Sequence, residues 1–232
     1  MLKCFMIYYY RRVISMGSKI KNLIFDFDGT LADTSSLIVA TMQRSIEEIG
    51  LPFKNSDEIK ATIGIRLEEI PLRLWPDLKI SGEEFATVYR KNFEVLKDKV
   101  GIRLFPEVRE TLTALNEKGC RMAIATSRSL ESLMELTEML GIREFFSYFL
   151  GGDNVKRGKP DPESVYIILS ECRWLPENTM MTGDMPVDIM MGKNAGLYTC
   201  GITYGNSREE ALREAGADKV ISQFKNLELI IA

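Results

Sequence analysis

Asn22-Leu23-Ile24-Phe25-Asp26-Phe27-Asp28-Gly29-Thr30-Leu31-Ala32-Asp33-Thr34 is the stretch on which the reading of this chain turns. Leu23-Ile24-Phe25 is a short apolar run of the kind a buried strand shows. Acid and turn residues replace it from Asp26 to Thr30. On extended chain, residues two apart face the same way, so Asp26 and Asp28 can present their carboxylates together. Gly29 frees the backbone to swing away at the strand end. In open parallel sheets that end is where ligands bind. Read alone, Asp-x-Asp-Gly is also an ordinary turn after a core strand.

Composition narrows the chemistry. The chain has 232 residues, 45% hydrophobic and 27% charged, which is ordinary for a globular protein. Its net charge of −3 makes no general case for nucleic acid or an anionic membrane as partner. No apolar run reaches the ~18 residues of a membrane span. Histidine is absent, so triads, imidazole acid–base catalysis and His-ligated zinc are excluded. The four cysteines contain no Cys-x-x-Cys; Cys120 and Cys200 adjoin apolar runs and read as free thiols of a reducing cytoplasm.

Three segments are expected. Residues 1–19 read as a poorly ordered extension: an apolar start followed by Arg11-Arg12 reverses the order of a signal peptide. Translation is expected to begin at Met16, the alternative being a short arm that touches a partner or membrane. Residues 34–101 show helical periodicity, with stops at Gly50 and Gly64, cap signals at Asn55 and Ser81, a second short helix running through Ile59 and Ile63, and no strand signal. They are expected to form a small all-helical cap domain. Residues 20–33 and 102–232 alternate strands and helices, as in an α/β core with a Rossmann-like, three-layer parallel sheet.

The strand ends carry Asp26, Asp28, Thr126, Lys159 and Asp184, with Asp188 one helical turn further on. If these strands are neighbours, the groups converge on one crevice. Gathered carboxylates need a hard cation, and a donor set of oxygens without His or Cys favours Mg²⁺. Mg²⁺ with a lysine and a hydroxyl suits a phosphoryl group. A carboxylate can itself attack phosphorus, and a second acid can move the proton. Taken singly, Thr126 would be a helix-start hydroxyl, Lys159 a solvated lysine and Asp184 a helix cap.

Asp26-Phe-Asp28-Gly-Thr30 resembles the nucleophile motif of haloacid-dehalogenase-like phosphatases, and the likeness runs from about Lys21 to the C-terminus. The resemblance implies Asp26 as nucleophile and Asp28 as acid/base that also lends Mg²⁺ its backbone carbonyl. It implies Thr126 and Lys159 as holders of the phosphoryl group, and Asp184 and Asp188 as carboxylates around the metal, Asp188 directly or through a neighbour. Gly29, Ser127 and Arg128 join the expected phosphate-binding set. Met185 departs from the pattern, since Ser or Thr often follows that acid. Gly64-Ile-Arg66 lies where such caps carry a substrate loop, so Arg66 is a candidate for a second anionic group or else an exposed helix-start arginine.

Gly151-Gly-Asp-Asn-Val, Gly158-Lys-Pro-Asp-Pro162 and Gly201-Ile-Thr-Tyr-Gly205 are similar to phosphoglycolate phosphatases. A small phosphorylated acid is thus the first substrate expectation, and the protein is expected to be a monomer or homodimer. A β-phosphoglucomutase-type mutase and a catalytically silent binding module on the same fold remain the alternatives.

Overall fold

The computed structural model describes residues 20–231; the expected N-terminal extension lies outside them. The first half runs β1 (Asn22–Phe25), β2 (Ala32–Asp33), α1 (Ser35–Ile49), α2 (Ser56–Lys60), α3 (Ile70–Leu74), α4 (Gly82–Val100), β3 (Arg103–Leu104) and α5 (Val108–Glu117). It continues with β4 (Arg121–Ala125), α6 (Leu130–Met139), β5 (Phe146–Leu150), α7 (Glu163–Cys172), β6 (Thr179–Gly183) and α8 (Pro186–Asn194). The last elements are β7 (Tyr198–Ile202), α9 (Glu209–Glu214), β8 (Lys219–Ile221) and α10 (Leu227–Ile231).

Six strands form one parallel sheet in the order β5-β4-β1-β6-β7-β8. Strand β1 is central, its side chains divided between the two faces. Leu23 and Phe25 join one apolar cluster, with Val108, Leu112 and Leu115 of α5 and Leu133 and Leu136 of α6. Ile24 joins the other, with Val165, Ile168 and Leu169 of α7. Burial on both sides explains why these strands read as continuous apolar runs. Burying each such side chain contributes roughly 1.5–3 kcal/mol.

Residues 34–101 give no strand to this sheet. Their helices α1 and α4 pack together, and the buried Asn92 fixes their register: it accepts from Arg44 Nε (2.7 Å) and donates to Glu48 Oε2 (2.9 Å) and Ser45 Oγ (3.2 Å). Gly50 ends α1 at φ +76°. Asn55 and Glu58 form a reciprocal capping box on α2, and Ser81 accepts the Glu84 amide at the start of α4. One expectation fails in detail. The second helix stops at Lys60 instead of reaching Ile63, because the Thr62 and Ile63 amides turn to the Ile59 and Lys60 carbonyls in tight turns. Where the chain leaves and re-enters the core, β2 and β3 pair antiparallel, Ala32 opposite Leu104 and Asp33 opposite Arg103. This contact has no sequence signature, since two-residue strands show no period.

Candidate active site

Strand β1 ends at Phe25, and the Asp26 amide extends the ladder by donating to the Thr182 carbonyl of β6 (2.9 Å). Asp26 therefore stands at the C-terminal edge of the sheet, flanked by the ends of β4 and β6. Lys159 reaches it from the loop before α7. Its Nζ donates to Asp26 Oδ1 (2.6 Å) and Asp188 Oδ1 (2.7 Å), all three groups being buried. The other oxygen of Asp188 accepts the Met185 amide at the start of α8 (3.1 Å). Asp184, at the end of β6, accepts from Thr30 Oγ1 (3.1 Å) with one oxygen. With the other it accepts from the Asn206 amide (2.7 Å) and side chain (2.8 Å).

Asp26, Asp184 and Asp188 each place a carboxylate oxygen within 4.8 Å of the others. Two of these three buried acids share the Lys159 ammonium, Asp184 having only neutral donors, and the surplus negative charge sets the electrostatics. Burial, outweighing Lys159 and aided by Asp188 and Asp184, holds Asp26 well above the usual carboxylate range. Burial and then Asp188 push Asp184 up to about 7 against the hydrogen bonds it accepts. Burial opposes the charge on Lys159, but Asp188 and Asp26 outweigh it and keep the ammonium protonated. A dry group with excess negative charge and only oxygen donors fits a hard divalent cation.

Asp28 does not join that cluster through its side chain, contrary to the simplest reading of the paired acids. Its carboxylate accepts a two-pronged bond from Arg128, Nη2 to Oδ1 (2.6 Å) and Nε to Oδ2 (3.1 Å), and a third from Thr34 (2.7 Å). The planar guanidinium matches a carboxylate edge and turns Asp28 toward the cavity wall. Arg128 also donates to Ser132 (3.0 Å) and lies over the Phe93 ring of α4, 4.8 Å from its centre. Arg128 is therefore engaged rather than free for phosphate.

The remaining expected phosphate contacts divide. Thr126 is buried at the end of β4; its oxygen accepts the Arg128 amide (3.2 Å), which leaves the hydroxyl proton for a ligand. Ser127 instead donates to the Gly64 carbonyl (2.6 Å), tying the core to residues 34–101. The Gly29 amide is taken by the Ala32 carbonyl (2.9 Å). What Gly29 supplies is space: at φ +88°, a Cβ there would collide with Asp184 and Asn206. Arg66 donates to the Lys156 carbonyl (3.0 Å). Asp26, Asp28, Thr126, Ser127, Arg128 and Arg66 all line one cavity of about 430 Å³ between the sheet edge and the helices above it.

Sequence reasoning missed Asn206, Thr34 and the role of Thr30. Asn206 follows Gly201-Ile-Thr-Tyr-Gly205 just past β7, so its place beyond a strand end next to β6 was the available signal. Met185 is buried, its sulfur accepting from Ser207 (3.2 Å), so the departure noted above is filled by packing.

A family model described as haloacid dehalogenase-like hydrolase matches residues 23–202. A phosphoglycolate phosphatase of Salmonella choleraesuis is 31% identical over 229 residues, covering 90% of this chain and 91% of its own. The pyrophosphatase PpaX of Halalkalibacterium halodurans is 32% identical, covering 90% and 95%. Among solved structures, CbbY of Rhodobacter sphaeroides in complex with phosphate superposes with a TM-score of 0.77 at 25% identity, covering 90% and 96%. The chain belongs to the haloacid dehalogenase-like hydrolase family.

Proposed function

We propose that the protein is a Mg²⁺-dependent phosphoric monoester hydrolase that works through an aspartyl-phosphate on Asp26. The observation that carries this reading is the Lys159 bridge between Asp26 and Asp188 beside Asp184, an all-oxygen acidic group at the edge of a parallel sheet. Names of relatives that are phosphatases support the reaction class.

In the first step Asp26 attacks phosphorus, and the bond to the alcohol oxygen breaks as Asp28, protonated, gives its proton to that oxygen. In the second, Asp28 takes a proton from water as the water oxygen attacks phosphorus; the bond to Asp26 breaks, releasing orthophosphate. Lys159 and the Thr126 hydroxyl hold the phosphoryl oxygens. Asp26, Asp184 and the Asp28 carbonyl would hold the metal, with Asp188 fixing Lys159. Mg²⁺ there would neutralise charge on the phosphoryl group. Asp28 lines the same cavity, and one of its oxygens turns to the leaving oxygen while the other keeps its Arg128 contact.

Chelation with EDTA is expected to abolish phosphate release, and Mg²⁺ to restore it. A second readout is stability. Asp184 sits at about 7 in the fold against 3.8 when free. Between these values the unfolded chain gives up its proton first, so the metal-free fold weakens as pH rises through that window. Mg²⁺ binding requires the deprotonated form and relieves the repulsion. The rise in Tm on adding Mg²⁺ should be larger at pH 8 than at pH 5; an equal or smaller rise would refute the metal site.

Residues 34–101 act in this proposal as a cap that closes over the cavity, hinged where β2 meets β3. The Ser127–Gly64 bond and the Arg128–Phe93 contact are then features of the closed form. With Mg²⁺ and saturating orthophosphate, hydrogen exchange should slow in residues 62–67 and 89–93. Unchanged exchange there on binding would remove the cap. Free thiols at Cys120, Cys172 and Cys200 support a reducing compartment, the cytoplasm.

A further inference from the structure

We infer that the alcohol this phosphatase releases has an uncharged, apolar or aromatic body and carries no second anionic group, an inference that rests on the phosphatase reading above. The cavity of about 430 Å³ falls in the range that encloses drug-sized ligands, roughly 300–1,000 Å³. It is far roomier than a phosphoryl group with a two-carbon acid requires. Beyond the sheet edge its wall carries an apolar patch among charged side chains: Ile38 and Met42 from α1, Ile65 and Ile70, and Tyr89 and Phe93 from α4.

The charges point the same way. Three arginines line the cavity, and each is already engaged. Arg128 grips Asp28 with two bonds. Arg90 pairs with Glu68. Arg66 donates to the Lys156 carbonyl and lies 4.0 Å from Glu69. Only the Arg128–Asp28 pair is largely buried, so a substrate carboxylate that took Arg128 would leave Asp28 unmatched in a partly dry site, whereas the Arg90 and Arg66 pairs are more exposed and bind their partners weakly. The lining adds the exposed acids Glu131 and Asp153, which repel an approaching anion, and Glu135, whose charge is offset by Lys97. Phosphate itself is received at the other end, by Lys159 and Thr126. An apolar body would cover Phe93 and Met42 at no such electrostatic cost.

The test uses the full chain with Mg²⁺ and esters whose alcohols leave with comparable reluctance: 2-phenylethyl phosphate and butyl phosphate against phosphoglycolate and 3-phosphoglycerate. Pocket contacts of this size discriminate by about tenfold or more, so kcat/KM for 2-phenylethyl phosphate is expected to exceed that for phosphoglycolate by at least that factor. Ile65→Lys, which sets a cation in the half-buried cap turn, should narrow the ratio by lowering the first value and raising the second. Equal rates, or a preference for either acid, would overturn the inference while leaving the phosphatase reading intact. Failure to hydrolyse any of the four esters would overturn the phosphatase reading, and this inference with it.

Discussion

Asp26→Asn is expected to lower phosphate release by roughly 10⁴-fold or more and to abolish covalent labelling. Asn has nearly the shape of Asp but no charge, so it cannot form the bond to phosphorus on which the proposed route depends. The substitution also removes one of three mutually repelling buried acids, so the fold should survive and the metal-free protein should lose no stability. Asp28→Asn would keep the proposed nucleophile and remove the proposed proton carrier, with an expected loss of about 10²–10⁴-fold. That loss should shrink with p-nitrophenyl phosphate, whose leaving group needs little protonation. Each variant is mixed with substrate and Mg²⁺, quenched in acid and digested. Phosphate on the 22–34 segment of the Asp26→Asn protein, or near-normal turnover by it, would overturn the mechanism.

The second large effect is expected from Lys159→Met, and it falls on stability as well as rate. Among the described residues Lys159 is the one ammonium bonded to Asp26 and Asp188, and both partners are buried. Removing one partner of such a group strands the other charges and costs roughly 3–5 kcal/mol. Loss of the donor to the phosphoryl oxygens should cost a further 10²–10³-fold in kcat. Lys159→Arg, which keeps the charge but not the compact geometry, should recover part of the stability and little of the rate. Thermal unfolding without metal and initial rates with Mg²⁺ separate the two effects. A Lys159→Met protein as stable as the parent would show that the bridge does not neutralise the acids.

Much of this site was legible because chemistry and topology agreed residue by residue. Asp26, Thr126 and Asp184 each follow an apolar run at a strand end, and parallel pairing of β1 with β4 and β6 brings those ends together. Lys159 sits in a loop, and only the motif around it separated it from a solvated lysine. What the sequence did not reveal is how side chains are shared. Ser127 and Arg128 follow Thr126 and were grouped with it as phosphate contacts, yet one is bonded to the Gly64 carbonyl and the other holds Asp28. Such choices depend on which partner lies nearest in space, and Asp28 and Arg128 are separated by a hundred residues of chain. The β2–β3 pair, α9, β8 and α10 were missed or left undefined because each is short, and short elements carry little period.

The central position of β1 also bears on how the molecule is made. This strand leaves the ribosome first among the six, yet both its neighbours come late: β4 at Arg121–Ala125 and β6 at Thr179–Gly183. Between β1 and β4 the chain produces α1 and α4, which pack on each other through residues 44 to 47 positions apart. During synthesis the helical unit can assemble while β1 still has both edges open, and long-range pairing of this kind is slow. Residues Asn22–Phe25 are thus a sticky segment in waiting, and Asp26 gains its acidic neighbours Asp184 and Asp188 only after Asp188 has emerged. A nascent chain arrested before β6 would carry a folded helical segment on an unclosed sheet, a species prone to aggregation and lacking Asp184 and Asp188.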